Sequence, residues 1–338
     1  MSKTDQMLAI IVPAYSSQYL AAALESIVSQ TDQRFNLYVF DDASPHPIAK
    51  VVSEFGSKRP ILFHRFEENL GGKSLVAHFH RCIARTTEPW ICVFSDDDLM
   101  DPACVASFLN ELINSSGNHD LYRFNTRSID VVGRVMSESE PHPALETGGD
   151  FLCARLQDRR TSTMQELVFA RETYLKVGGI PDFPLAWASD DAFIARMGAQ
   201  QPIKTISGPR VSWRQSGVSI STNLSPANAK QKIIASQMLV NWAADFLGKH
   251  PPSGRPLSTT DVHSLTSGWF FRRVYFTHVG LSLKTSLEIN RFAGTAWDWP
   301  WGRGLIKCMR LNQPFIKNRL LKRIVGLVLS TTPSKTDR

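Results

Sequence analysis

The chain is poor in cysteine. Of its 338 residues only Cys82, Cys92, Cys104, Cys153 and Cys308 carry a thiol, an odd number with no CxxC pair. That speaks against a disulfide framework and against a structural zinc site, and makes a reducing cytosol the expected home. No stretch approaches the roughly 20 apolar residues of a membrane-spanning helix. The polar start MSKTDQ runs directly into Met7–Pro13, an apolar run too short for a signal-peptide core and without a small-residue cleavage site. Neither a Walker motif nor GxGxxG is present: Gly71-Gly72-Lys73-Ser74 resembles the end of a phosphate loop but lacks its first glycine. The nine histidines show no metal-ligand spacing. His78 and His80, two apart in a helix candidate, face different ways and read as structural. Internal repeats and low-complexity tracts are also missing.

What is present describes a folded protein. Apolar residues make up 43% and charged residues 20%, and the formal charge is +7, which suits an anionic partner without naming it. Leu8–Val12 is a continuous apolar, β-branched run, Phe35–Phe40 is a second apolar run, and Ile61–Phe66 and Trp90–Phe94 are further strand candidates. Helical spacing fills the gaps at Tyr19–Gln30, Ala49–Phe55 and Lys73–Arg85. The β-α-β-α order, with strands too apolar to have a wet face, predicts an α/β fold: a Rossmann-like, mainly parallel sheet covered by helices on both sides. From about Asp120 to Val135 shorter alternating runs predict a hairpin or edge strands. Gln165–Ala170 reads as a further strand, and Arg171–Val177 as a short helix ended by Gly178-Gly179. Beyond about Ser225 the segments Ala227–Leu247 and Thr259–Leu283 look helical, separated by the Pro-rich linker His250–Pro256. The expected division is 1–225 and a mostly helical region, 226–338.

In a parallel sheet ligands bind outside the carboxyl ends of the strands, and three polar clusters fall there: Pro13-Ala14-Tyr15, Asp41-Asp42 and Asp96-Asp97-Asp98. Three adjacent carboxylates repel one another unless a cation joins them, and Mg²⁺ or Mn²⁺ bridging to diphosphate oxygens suits hard oxygen ligands. A solvated acidic turn is the plain alternative. Asp41 or Asp42 can accept from a base N–H or from ribose hydroxyls, or else cap a turn, since Asp-Asp-Ala-Ser-Pro is good turn chemistry. Tyr15 can stack on a base or serve as an ordinary core aromatic. Ser189-Asp190-Asp191 lies far along the chain. A carboxylate there can deprotonate an acceptor hydroxyl, or start a helix as its N-cap. Arg214, ahead of Ser216 to Ser221, supplies a cation able to fold over a diphosphate. An exposed loop is the alternative.

As an ordered set these motifs resemble family 2 glycosyltransferases of the GT-A fold, over about residues 7 to 225. IIVPAY at Ile10–Tyr15 matches the opening strand, and VFDDAS at Val39–Ser44 the nucleotide-binding motif. ENLGG at Glu68–Gly72 matches the turn before the third helix, and FSDDDL at Phe94–Leu99 the DxD region. Gly178-Gly179, FPLAW at Phe183–Trp187 and Ser189-Asp190-Asp191 resemble the acceptor-side motif that holds the base. The resemblance implies a nucleotide-sugar donor, by default a UDP-sugar, held by Pro13, Tyr15, Asp41, Asp42, Asn69, Lys73, Asp96, Asp97 and Arg214. It implies a divalent metal on Asp98 with Asp96, and Asp190 as base with Asp191 its close competitor. The reaction would be inverting, onto a hydroxyl of a glycan or lipid-linked glycan, in bacterial surface polysaccharide synthesis. The chain departs from the pattern at Ser16, at Ser95 and at the Asp-Asp pair, which leaves the register of the three aspartates open by one position.

The last forty residues carry Arg303, Lys307, Arg310, Lys317, Arg319, Lys322 and Arg323 among apolar residues, with Trp297, Trp299 and Trp301 before them. A basic amphipathic helix over residues 297–330 could lie on an anionic membrane face, making the protein cytoplasmic and peripheral on the inner face of the membrane. Equally it could pack on the preceding domain with its basic side wet. A nucleotidyltransferase and an inactive sugar-binding relative are the rival readings. Nucleic acid is not an expected partner, because the cleft is acidic.

Overall fold

A computed structural model describes residues 7–217, 225–254, 256–277 and 282–311. The elements follow in the order β1 (Leu8–Ala14), α1 (Leu20–Val28), β2 (Phe35–Asp41), α2 (Ile48–Phe55), β3 (Leu62–Arg65), α3 (Leu75–Ile83), β4 (Trp90–Val93), β5 (Leu99–Met100) and α4 (Cys104–Asn114). Then come β6 (Leu121–Ile129), β7 (Val135–Glu138), β8 (Leu145–Glu146), α5 (Gly148–Leu156), β9 (Leu167–Ala170), α6 (Arg171–Lys176), α7 (Ser189–Gly198) and β10 (Ile203–Arg214). The chain continues as α8 (Pro226–Lys249), α9 (Thr259–Thr277), α10 (Leu283–Trp297) and α11 (Arg303–Leu311).

One sheet of ten strands runs β3-β2-β1-β4-β9-β6-β10-β5, with β7 on β6 and β8 on β10. The half built from β3, β2, β1 and β4 is parallel, as the apolar runs predict. β9 enters antiparallel to both β4 and β6, and β10 lies parallel to β6. Two expectations shift. Ile61–Phe66 yields the edge strand β3, so Leu62 and Phe63 are 49% and 37% exposed where a buried strand was expected. The Asp120–Val135 segment does make a hairpin, β6 with β7, yet β6 itself lies inside the sheet between β9 and β10.

Alternation along β1 feeds two cores. Ile10 and Val12 join α1, α2 and α4 on one face, through Leu24, Ile27, Val52 and Phe108. α1 presents Leu20, Ala23, Leu24 and Ile27, a single stripe at helical spacing. Ala9 and Ile11 face the other core, shared by α3, α5 and α7. That core runs on across residue 225 to Leu239 and Phe246 of α8, Trp269 and Phe270 of α9 and Ile289 of α10. Each such buried side chain contributes about 1.5–3 kcal/mol relative to exposure. Two glycines set how closely the helices approach. A Cβ on Gly148 of α5 would stand 2.1 Å from the Ala195 carbonyl oxygen of α7. At Gly179 the φ of +74° is left-handed, and a Cβ would meet the His80 ring at 2.5 Å.

No described helix is long and apolar enough to cross a membrane. Trp297 is 3% exposed and Trp299 stacks on Phe271 beneath Arg303, so of the three tryptophans only Trp301, 83% exposed, faces outward. Lys317, Arg319, Lys322 and Arg323 lie outside the described residues.

Candidate active site

β1, β2 and β4 end side by side, and the loops that follow them carry the carboxylates. Tyr15 and Ser16 donate their backbone N–H groups to one oxygen of Asp96, at 2.9 and 2.8 Å. The β1 and β4 ends are thereby tied together. Burial holds the Asp96 carboxyl above its ordinary range, against the pull of those two amides. Asp98 is 1% exposed and accepts from the Arg214 backbone N–H at 2.8 Å. Burial and then the charge of Asp97 push it up to about 8. Asp97 is raised to about 6 by burial and then by Asp96.

Arg214, at the end of β10, spends its guanidinium internally. It donates to the carbonyls of Asp97 (2.7 Å), Asp130 (3.0 Å) and Val131 (3.2 Å), and lies 4.5 Å over the Tyr19 ring. It braces the aspartate turn where a diphosphate contact was expected. Residues 218–221 of the segment after it lie outside the described residues.

Asp41 and Asp42 are likewise engaged. Asp41, fully buried, pairs with Arg65 and accepts from the Ser44 N–H at 2.8 Å. Asp42 pairs with Arg81, sits 3.3 Å from His78, and accepts the N–H groups of Leu70 (2.9 Å) and Gly71 (2.8 Å). These bonds fix the Glu68–Gly72 turn against β2. Asn69 closes that turn by accepting from Gly72 N–H at 2.6 Å, and Lys73 is exposed beside Glu68 at 3.1 Å. Tyr15 is 47% exposed, edge-on to His46, so its ring is open to a planar ligand. Pro13 sits in β1 opposite Phe40.

The later motif arrives by a strained path. Leu185, Ala186 and Ala188 all have left-handed backbones, with φ of 61°, 53° and 62°, a conformation costing a non-glycine residue about 1 kcal/mol or more. Ala188 is therefore the cap of α7, where Ser189 or Asp190 was the expected one; the Ser189 hydroxyl instead accepts from Phe183 N–H at 3.2 Å. The two aspartates then part company. Asp191, 1% exposed, is held bidentate by Arg155 of α5 at 2.6 and 3.0 Å and also by Ser162. Asp190 accepts its neighbour's N–H at 2.9 Å, and burial and then the charge of Asp191 raise it to about 8.

A cavity of about 580 Å³ brings the distant motifs together. Ser95, Asp97 and Asp98 line it with Trp187, Asp190, Asp191, Trp213 and Trp269. Asp41, Asp42, Asn69 and Lys73 do not line it, and Asp96 turns toward the β1 loop. Of the three aspartates after β4, Asp97 and Asp98 face the cavity, where the sequence pairs Asp98 with Asp96. Among the described residues no group of three or more His, Cys, Asp and Glu side chains converges as a metal cage. Two adjacent aspartates, each raised by burial and then by the carboxylate before it, do fit a cation that draws its remaining ligands from diphosphate and water, as Mg²⁺ does. Sequence reasoning missed Arg155 and β10. Nothing in the spacing links Arg155 to a residue on α7.

A mixed sheet carrying carboxylates at its parallel strand ends, over a cavity with a separate raised aspartate, is an α/β architecture of the GT-A kind. Residues 9–159 match the family model described as glycosyl transferase family 2. An uncharacterized glycosyltransferase of Haemophilus influenzae is 27% identical over 177 residues, 52% of this chain and 56% of that protein, so the match spans little more than half the relative's length. Among solved structures, S. aureus TarS 1–349 in complex with UDP-GlcNAc superposes with a TM-score of 0.60 at 16% identity, covering 90% of this chain and 82% of that one. S. aureus TarS in its longer form gives 0.57 at 14% identity, covering 96% and 52%. These likenesses show the fold.

Proposed function

We propose that the protein transfers a sugar from a nucleotide-diphospho-sugar to a hydroxyl of a glycan or lipid-linked glycan, with inversion. The observation that carries this is the shared cavity: Asp97 and Asp98 from the β4 end and Asp190 from α7 line one space. In the reaction Asp190 accepts the proton of the acceptor hydroxyl, that oxygen bonds to the anomeric carbon, and the bond from that carbon to the diphosphate oxygen breaks. Asp190 suits the base because burial and the charge of Asp191 raise its carboxyl to about 8, whereas Asp191 is locked to Arg155 in a bidentate pair. Asp97 and Asp98 would hold a divalent cation, which would supply charge neutralisation at the departing diphosphate. Tyr15, exposed beside the β1 end, would stack on the nucleoside base. A UDP-sugar is the first donor to try, since TarS was solved with UDP-GlcNAc. A role in bacterial surface polysaccharide synthesis would follow from a glycan acceptor.

The test is thermal stabilisation by a panel of nucleotide-sugars with and without Mn²⁺. A shift of several degrees for one donor, larger with metal, is expected. No shift with any donor, and none from Mn²⁺, would overturn the reading. The basic stretch beyond Leu311 is the part that would meet an anionic membrane surface. Flotation with anionic vesicles should retain the full chain and release one ending at Leu311; equal recovery would remove the membrane from the proposal.

A further inference from the structure

The cavity carries a second arrangement, separate from the aspartates. Between β6 and β7 the hydroxyls of Ser128 and Ser137 bond at 2.8 Å, and just past the end of β7 the Ser139 hydroxyl bonds that of Thr126 at 2.9 Å. All four residues line the cavity. Thr126 and Ser128 are two apart on one strand, so both hydroxyl rungs stand on the same sheet face, about 7 Å apart. β10 extends the row, because Trp213 pairs in register with Ser128 and also lines the cavity. From α9, Trp269 lines it too. That side chain is 1% exposed, and its indole N–H has no hydrogen-bond partner among the described residues.

Each hydroxyl pair uses one of its two protons for the mutual bond. The other proton and the spare lone pairs remain for a ligand. Neighbouring hydroxyls of a pyranose offer the same mixture of donors and acceptors, and the apolar face of the ring suits an indole. Charge separates neutral from anionic ligands. Arg127, Arg155 and Arg273 on the cavity wall already face Asp101, Asp191 and Asp158. Asp97, Asp98 and Asp190, also on that wall, are carboxyls and offer a phosphate no counter-charge. A phosphate-bearing acceptor would have to break one of those ion pairs to be held there.

We propose that the β7–β6–β10 face, with Trp213 and Trp269, is the acceptor subsite, and that the acceptor is a neutral, hydroxyl-rich glycan whose terminal sugar lies on the hydroxyl rungs. This rests on the reading of the cavity as a glycosyltransfer site. The experiment uses the full chain loaded with UDP and follows saturation-transfer NMR of neutral tetrasaccharides (cellotetraose, chitotetraose, mannotetraose), with a ribitol-phosphate oligomer as the anionic probe. At least one neutral probe should bind, the double variant S128A/S137A should weaken it tenfold or more, and W213A should weaken it at least as much. Both variants should keep the wild-type thermal shift with the nucleotide-sugar, which reports that they are folded. The proposal is overturned if no neutral probe binds, if the phosphate oligomer binds in their place, or if S128A/S137A binds as wild type does. A nucleotide-sugar shift without neutral-glycan binding would sink only this proposal. Absence of the nucleotide-sugar shift would sink the function on which it rests.

Discussion

Replacing Asp190 by Asn should make the protein more stable and less active, and its neighbour should do the opposite for stability. Asp190 is raised from 3.8 to about 8 because burial and Asp191 disfavour its charge. At about 1.36 kcal/mol per pH unit, that gap sets a ceiling of about 6 kcal/mol against ionising it. Water in the cavity and local relaxation reduce the effect to about 1–3 kcal/mol. The sign follows from linkage: the folded chain binds this proton more tightly than the unfolded chain. Stability from that proton is complete below about pH 4 and is lost as pH rises toward about 8. Asn never ionises, so the advantage of D190N should grow over that window and level off above it. At about 2 °C per kcal/mol for a chain of this size, the melting temperature at pH 8.5 should rise by about 2–6 °C, with a smaller gain at pH 5. Transfer should fall by about 10²–10⁴-fold, the usual worth of a general base. D191N strands the Arg155 charge in the interior and should cost about 3–5 kcal/mol. Melting curves across pH, with nucleoside-diphosphate release as the activity readout, test all of this. A D190N protein that melts at or below wild type at pH 8.5, or that transfers within tenfold of it, would refute the reasoning.

Wild-type kcat/KM should rise with pH through about 8 as Asp190 gives up its proton, and a profile flat from pH 6 to 9 would exclude it as base. Arg155→Met removes the bidentate partner of a carboxylate that is 1% exposed and should destabilise by about 3–5 kcal/mol in urea unfolding. Gly148→Ala pushes a methyl to 2.1 Å from the Ala195 carbonyl oxygen and should cost about 2–4 kcal/mol by the same assay, since backbone must move on α5 or α7. D98N should diminish the Mn²⁺-dependent part of the nucleotide-sugar thermal shift while leaving the metal-free part in place.

The parallel half of the sheet was readable because β1, β2 and β4 are continuous apolar runs, and their polar ends fall where α/β ligands bind. β10 escaped notice because Gly208-Pro209 interrupts it and reads as a turn. The structure uses Gly208, at φ +102°, to shift the register between Ile206 and Arg210 within one strand. α5 was hidden by its opening Gly148-Gly149, which resembles a loop until the crowding against α7 is seen. The carboxylate clusters were visible, but their division of labour was not. Arg65 and Arg81 claim Asp41 and Asp42 from elements later in the chain, and Arg155 claims Asp191 from 36 residues away. Long-range partners of this kind leave no periodicity to read.

The continuity of the second core across residue 225 has a bearing on descent. Trp269 of α9 belongs both to that core and to the wall of the cavity. Grafting a foreign helical tail onto this sheet would open the chamber and unpack its floor in one step. The ancestry of the tail and the choice of acceptor are therefore bound together: a lineage that changes its acceptor should show compensating changes in α9, and recombination at the junction should be rare.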